Sequence, residues 1–310
     1  MSESYEPGST FKPVTVASAL EEGVVKDGDT YVCKGFETVA DYKLKCHVFS
    51  TIGSHGSLTV EQALMNSCNP YMIHLALEMG NSRFAYYQSL FGFGKITGID
   101  LPGETTGIVY GDRMTTIDAA CNSFGQTINV NMMQMMAAYC SIINGGMLYQ
   151  PHIVKRIESA NGEVVKEYKA NLVRQTITAS TSKLLRRYLK NTVEEGTAKK
   201  AGVTGYSVAG KTGTAQKGDR KDNKWIISFI GHAPAENPKF AIYVVIDEPY
   251  GTTGTSGSSA DVLTLTHNIL EKLLPYMNVY KDASDEYEDT SSSPDELTVD
   301  GIPAGTASSN

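Results

Sequence analysis

The sequence contains no uninterrupted apolar run of the roughly 18 residues that a bilayer-spanning helix requires. Its best candidate, Met132 to Ile143, is too short and is broken by Gln134. A spanning helix is therefore excluded from the sequence as it stands, and its start does not carry the pattern of a signal peptide. Basic excess is also lacking: 27 Lys and Arg stand against 34 Asp and Glu, for a formal charge of −7, which argues against a nucleic-acid surface. Histidine is scarce, with six residues, and none falls in the three serine and lysine motifs described next, so a serine nucleophile there must use another base. The cysteine count is five, so the thiols cannot all be paired with one another.

What is present is a core-forming body with an acidic end. At 310 residues and 41% hydrophobic, the chain can bury a sizeable core. The stretch from Asp282 to Asn310 holds eight acidic and no basic side chains, so the net negative charge belongs to it and the rest is close to neutral. We read one domain over residues 1–278 and an acidic, disordered tail over 279–310.

Three motifs occur in a fitting order. Ser9-Thr10-Phe11-Lys12 follows Glu6-Pro7-Gly8 and leads into an apolar run that stops at Gly23, which puts Ser9 at or just before a helix start. Ser9 and Lys12 then share a face, and a neutral Lys12 amine can take the Ser9 proton. That requires a lowered lysine pKa, from burial and from a second cation, for which Lys211 is the candidate. Ser67-Cys68-Asn69 falls between a periodic segment and Pro70, on a break between helices. There Ser67 can relay a proton and Asn69 can hold Lys12. Lys211-Thr212-Gly213-Thr214 lies in the first of three strand-like runs, Tyr206 to Gln216, Trp225 to His232 and Phe240 to Ile246. Gly210 and Gly213 let a ligand backbone approach that strand edge, Lys211 or Thr212 meets a substrate carboxylate, and the N–H groups of Ser9 and Thr214 form an oxyanion hole. Each motif alone also suits a blander role: a helix cap, a solvated charge, or an edge strand with a protective lysine. Ser180 with Lys183, and Ser308-Ser309-Asn310, repeat the spacings without the context.

With Tyr5 to Pro13, His55-Gly56-Ser57, Asn66 to Pro70, Phe124-Gly125-Gln126, Asn144-Gly145-Gly146, Pro151-His152 and Ala209 to Gln216, the chain resembles the transpeptidase domain of class B penicillin-binding proteins. These are the elongation, division and sporulation-type peptidoglycan crosslinkers. The resemblance implies an α+β fold, a mostly antiparallel sheet flanked by helices, here lacking its N-terminal strands. It implies that Ser9 attacks the penultimate D-alanine carbonyl of a stem peptide and passes the acyl group to a neighbouring amine, and that β-lactams trap it. No catalytic cofactor is implied. The expected setting is the extracytoplasmic face of the membrane, with the anchor outside this chain and a membrane glycosyltransferase as the parent's partner. Loss of strands beyond Phe240–Ile246 would leave that strand an apolar edge.

Cys33 and Cys46 flank residues 34–45, which read as a hairpin. Two outcomes are open there: a Cys33 to Cys46 disulfide, or a structural zinc drawn from Cys33, Cys46, His55, Asp41, His47 and Cys68. Cys121 and Cys140 read as free buried thiols, His74, His232 and His267 as packing or surface residues, and the methionines at 132, 133, 135 and 136 as core. Two further function classes stand beside transpeptidation: a β-lactamase or sensor, for which Glu104 is the only visible deacylation candidate, and a catalytically inactive interaction module.

Overall fold

The computed structural model describes residues 2–218, 224–249 and 258–282. The acidic stretch lies outside these residues from 283 onward. A single 3-10 turn, Gly8–Phe11, runs directly into α1 (Lys12–Glu22), so Ser9 sits on the turn before the helix. Pro13 is tolerated in the first turn, where its missing N–H has no intrahelical partner to lose, and Gly23 ends the helix in the left-handed conformation. Every residue from Lys12 to Ala19 is buried. This helix is thus the axis of the body rather than an amphipathic surface element.

After α1 come β1 (Thr30–Cys33), the hairpin of β2 (Phe36–Val39) and β3 (Tyr42–Lys45), and β4 (Gly56–Thr59), which pairs back on β1 with Cys33 opposite Gly56. The next helix, α2 (Val60–Met65), starts in a capping box between Thr59 and Gln62. A short break separates it from α3 (Asn69–Met79). The helical body is completed by α4 (Asn81–Leu90), α5 (Thr116–Asn122) and α6 (Met132–Ile143), the last capped by Asn131. Two exposed ribbons follow, β5 (Met147–Gln150) paired with β8 (Asn171–Gln175), and β6 (Arg156–Glu158) paired with β7 (Val164–Glu167). Then comes the long helix α7 (Ala179–Glu194).

The remaining strands, β9 (Ala209–Lys217), β10 (Lys224–Ala233) and β11 (Phe240–Asp247), form an antiparallel sheet in the order β11-β10-β9. Its two faces join two cores. Ile230, Ala241 and Tyr243 pack into the helical body, while Ile227, Phe229, Ile242 and Val244 pack with α8 (Ala260–Tyr276). That alternation explains why these strands read as apolar throughout: both faces are covered by helices. Among the described residues β11 pairs only with β10, so it is an edge, as expected.

One buried polar group makes the core sensitive to acid. His232 on β10 is fully buried; the Tyr139 hydroxyl donates to its Nδ1 at 2.8 Å, and its Nε2–H donates to the Ala235 carbonyl at 3.1 Å. That pattern fits a neutral ring, and burial pushes the pKa from 6.5 down to about 4. Because the folded pKa lies below the unfolded one, the unfolded chain takes up the proton first, and stability is lost as the pH falls from 6.5 towards 4. Urea unfolding should show a loss between about pH 7.5 and about pH 5 that is larger by about 2 kcal/mol in the wild type than in His232→Gln. Equal pH dependence in the two proteins would remove His232 as the cause.

Candidate active site

Lys12 is fully buried at the start of α1, and three acceptors surround its ammonium. Its Nζ donates to the Ser67 carbonyl at 2.6 Å, to Ser67 Oγ at 2.9 Å and to Asn69 Oδ1 at 2.7 Å. The backbone of Ser67 reaches this geometry in the left-handed region, at φ 55, which an L-residue enters at a cost. That twist turns the Ser67 carbonyl back onto Lys12. The first two motifs are therefore one hydrogen-bonded unit, as their order in the sequence suggested. Burial lowers the Lys12 pKa to about 8, against the opposing pull of Cys68 and Cys46.

The second lysine carries a charge close enough to repel the first. Lys211 is also fully buried, and burial together with the Lys12 charge pushes its pKa well below the lysine range. Burial is the leading cause for both lysines, and their mutual repulsion favours the loss of one of the two protons. Lys211 Nζ donates to the Thr212 carbonyl at 3.3 Å, beneath the cleft rather than in it.

The Gly8–Phe11 turn and β9 touch at two glycines. A Cβ on Gly8 would come within 2.6 Å of the Thr214 carbonyl oxygen, and one on Gly213 within 2.8 Å of the Thr10 methyl and 2.9 Å of the Pro7 oxygen. Gly210 faces the Phe229 ring, which a Cβ would approach to 2.3 Å. The space at Gly210 and Gly213 is thus filled by the protein's own chain, not kept for a ligand as the sequence suggested. The glycines bring Thr214 beside Ser9, which is the placement an oxyanion hole needs.

Ser9, Ser67, Asn69, Thr212 and Thr214 line one cleft of about 390 Å³. His47, Phe124, Gln126, Thr197, Trp225 and Ser259 complete its wall. Of these, only Phe124 and Gln126 stood in a quoted motif, and only His47 carried a role in the sequence reading, as a candidate zinc ligand rather than as part of the cleft. Glu104 is not part of this wall. Its carboxylate accepts from Thr97 N and Oγ1, each at 2.8 Å, from Gly98 N at 3.1 Å and from Asn131 Nδ2 at 3.4 Å, so it staples two loops together.

Behind the second motif, Cys33, Cys46, Cys68 and His55 place their ligand atoms within 4.8 Å of one another, with the three thiols buried. All five cysteines are free, so the Cys33 to Cys46 disulfide is not formed. Two candidates drop out of the ligand set. Asp41 lies at the exposed tip of the β2–β3 hairpin, and His47 uses Nε2 to bond the Asn66 carbonyl at 2.9 Å. His55 Nδ1 lies 3.5 Å from Cys46 Sγ and 3.9 Å from Cys33 Sγ. Cys46 is drawn towards the thiolate by a hydrogen bond from Cys68 and then by His55, while the same contact and burial push the Cys68 thiol up. The hairpin also braces the motif directly, since Asn69 Nδ2 donates to the Lys45 carbonyl at 3.2 Å. Cys121 and Cys140 stand apart, free and half-buried.

The family described as the penicillin binding protein transpeptidase domain matches residues 1–271. Stage V sporulation protein D of Bacillus subtilis is 41% identical over 282 residues, covering 89% of this chain and 43% of that protein. The peptidoglycan D,D-transpeptidase FtsI of Escherichia coli K12 is 32% identical over 289 residues, 91% of this chain and 46% of its own length. The chain thus spans less than half the length of these relatives. Penicillin binding protein 3 of Mycobacterium tuberculosis, solved in complex with ampicillin, superposes with a TM-score of 0.81 at 28% identity, over 92% of this chain and 65% of that one.

The close approach at β9 has a measurable consequence. Gly213→Ala should lower the unfolding free energy by about 1–3 kcal/mol, the scale of overpacking, since its Cβ would meet Ser228 Oγ at 2.5 Å as well as Thr10 and Pro7. Gly202→Ala, whose nearest neighbour would lie at 3.3 Å, should change it by about 0.5 kcal/mol or less. Equal urea midpoints for the two variants would mean that β9 does not depend on this contact.

Proposed function

The chain belongs to the penicillin-binding-protein transpeptidase family, and on that premise we propose that it is the acylating domain of a peptidoglycan D,D-transpeptidase, with Ser9 as nucleophile. The observation that carries the reading is the buried Lys12, hydrogen-bonded to Ser67 and Asn69 beside the cleft that Ser9 lines. In its neutral form Lys12 takes the Ser9 hydroxyl proton as Oγ bonds the carbonyl carbon of the penultimate D-alanine. The N–H groups of Ser9 and Thr214 receive the oxyanion. Collapse breaks the peptide bond, and the leaving D-alanine amine takes its proton through Ser67. An acceptor amine then attacks the ester; Lys12 takes the amine's proton and passes it to the departing Ser9 Oγ, which restores the Ser9 hydroxyl and leaves Lys12 neutral. The substrate carboxylate meets the Thr212 hydroxyl in the cleft, with Lys211 acting through Thr212 from below. A β-lactam carbonyl follows the same first step and remains as the ester. Hydrolysis is slow on this reading, because the Glu104 carboxylate is held by loop donors rather than facing a water in the cleft.

The substrates are peptidoglycan stem peptides, which places the parent protein outside the cytoplasm, working with a membrane glycosyltransferase. Among the described residues no helix is long and apolar enough to cross a membrane. No cofactor enters the chemistry. The thiol cluster is given a structural zinc, supported by its donor set: tetrahedral bonds to a thiolate and an imidazole set S···N at about 3.5–3.6 Å, against 3.5 and 3.9 Å here. Zinc there would fix Cys68, and with it Ser67 and Asn69 on either side.

Two measurements test this. Ser9→Ala should abolish covalent labelling by a fluorescent penicillin, and Lys12→Ala should slow acylation by ~10²-fold or more. The wild-type acylation rate should climb with pH through about 8, where Lys12 loses its proton; a flat profile, or labelled Ser9→Ala protein, would reject these roles. For the cluster, protein purified without chelator should carry about one zinc per chain, and His55→Ala should lower both zinc content and melting temperature. Metal-free protein with a Cys33 to Cys46 crosslink in its peptide map would decide for the disulfide.

A further inference from the structure

The exposed flank of α7 carries Lys183, Arg186, Arg187 and Lys190, and these side chains line a cavity of about 430 Å³ against Ala235 and Glu236 of the β10–β11 connection. Residues three, four and seven apart share one helical face, so the four cations form a stripe along that groove. The two halves of the stripe differ in their partners. Lys190 pairs with Glu236 at 2.6 Å and with Glu194 at 3.6 Å, and Arg187 reaches Asp27 at 2.6 Å and Glu61 at 3.3 Å. Lys183 and Arg186 have no carboxylate within ion-pair distance among the described residues. Arg186 Nη1 donates to neutral oxygens, the Ile143 carbonyl at 2.8 Å and Ser182 Oγ at 2.9 Å, and burial lowers its pKa. Positive charge at this end of the groove is therefore not offset by any described side chain.

The chain that follows α8 arrives at the same groove. Lys239 Nζ donates to the Asn278 carbonyl at 2.6 Å, and the Asp282 N–H donates to the Gly205 carbonyl at 2.8 Å, which fixes the path of these residues. The Lys190 pKa is raised chiefly by Glu236, then by Glu194, and Asp282 adds to the effect, so its carboxylate lies within electrostatic reach of the stripe. Asp282 is the first acid of the stretch that holds eight acidic and no basic side chains, and Asp285, Glu286, Glu288 and Asp289 come directly after it. The reach is sufficient. Lys183 lies about 10 Å along the helix from Lys190 at ~1.5 Å per residue. An extended chain covers about 10 Å from residue 282 to 285 and about 23 Å from 282 to 289, at ~3.3 Å per residue.

We propose that residues 285–289 dock in the α7 groove of their own chain as an acidic strap, their carboxylates pairing with Lys183 and Arg186. Tethering at Asp282 favours this occupant over a separate anionic chain, because a short linker presents the acids to the groove at an effective concentration of the order of millimolar. The strap bears on the cleft through the helix it covers. Beyond its C-terminus α7 leads into Thr197, a wall residue whose N–H donates to the Met65 carbonyl at 3.2 Å, so holding α7 also holds that side of the cleft.

The test uses the full chain. Carbodiimide coupling at low salt, followed by peptide mapping, should join Lys183 to a carboxylate of residues 285–289 within a monomer, and the product should fall about fivefold in about 0.5 M salt, where such pairs are screened. Occupancy is then read with a glutamate-specific protease, as the rate of cleavage after Glu286 and Glu288. The readout is the ratio of the rates at high and low salt within each protein, so that the protease's own preferences cancel. That ratio should be about fivefold larger in the wild type than in Lys183→Gln/Arg186→Gln, the scale of two exposed ion pairs acting together. Asp285→Asn/Asp289→Asn keeps both cleavage sites and leaves the folded body untouched. It should lower the ratio by a similar factor, and so decides the matter if the first variant folds poorly. Equal ratios in the wild type and Asp285→Asn/Asp289→Asn, or Lys183 joined only to acids before residue 283, would overturn the proposal. Products joining Lys183 to residues 285–289 only in crosslinked dimers would assign the groove to a second copy of the chain, and would overturn it equally.

Discussion

Everything at this site depends on placing a lysine ammonium where water cannot reach it. Lys12 has no exposed surface, and an unpaired charge there would be far too costly to retain. The fold answers with three oxygens from one short break between α2 and α3, two from Ser67 and one from Asn69. Those oxygens satisfy the ammonium's three donors without supplying a full negative charge. The result is a lysine whose protonated and neutral states balance near pH 8, since burial lowers its pKa to about 8 against the opposing pull of Cys68 and Cys46. A carboxylate partner would have satisfied the charge better and held the proton on. The site's neutrality is therefore what would let the lysine serve in the proposed role of base.

The second constraint is the distance between two backbones. Ser9 lies on a turn that α1 fixes from behind, whereas Thr214 lies on a strand anchored to β10 and the α8 core. These bodies have no covalent reason to meet, and they do so only because Gly8 and Gly213 lack side chains at the contact. Gly125 completes the arrangement: its carbonyl accepts from the Gly8 N–H at 2.9 Å, and a Cβ on it would strike the Gly8 oxygen at 2.0 Å. Tyr243 on β11 ties the same turn to the sheet from beneath, through Tyr5 at 2.6 Å and Thr10 at 3.4 Å. The relative position of nucleophile and strand is thus determined by packing on all sides rather than by one bond.

What the sequence revealed and what it hid divide along physical lines. Ser9, Lys12, Ser67 and Asn69 were legible because their spacing and their place at helix starts carry the geometry, and the strand runs because both faces of that sheet are covered. The hairpin between Cys33 and Cys46 was legible from its flanks. Pairwise electrostatics was not. Lys211 reads as the cation that depresses Lys12, yet burial is the leading cause for both lysines, and burial is a property of the folded core. The glycines were read correctly as sites of close approach but assigned the wrong visitor, because the nucleophile turn is some two hundred residues away in sequence. His47 and His55 are alike by sequence. Only the fold turns one to the Asn66 carbonyl and the other to the thiols. The cleft wall from Thr197, Trp225 and Ser259 had no sequence signal, since it is assembled from three distant segments with no common pattern.

The thiol cluster joins these themes, because it acts on the lysine by position and by charge at once. Cys68 is the residue between Ser67 and Asn69, so whatever fixes its sulfur fixes the two groups that hold Lys12. The hairpin adds two further braces, from Lys45 to Asn69 and from His47 to Asn66, which leaves the break little freedom to relax. Charge works in the opposite sense. Thiolate character on Cys46, to which Cys68 donates as a protonated thiol, raises the Lys12 pKa against the effect of burial, and so holds the proton on the amine. A divalent cation among the sulfurs would cancel that field while tightening the same braces. Position and protonation would then favour the same state of Lys12. A cluster of bare thiols must instead trade one against the other, because each thiolate that strengthens the hydrogen bonds within the cluster also weakens the base beside it.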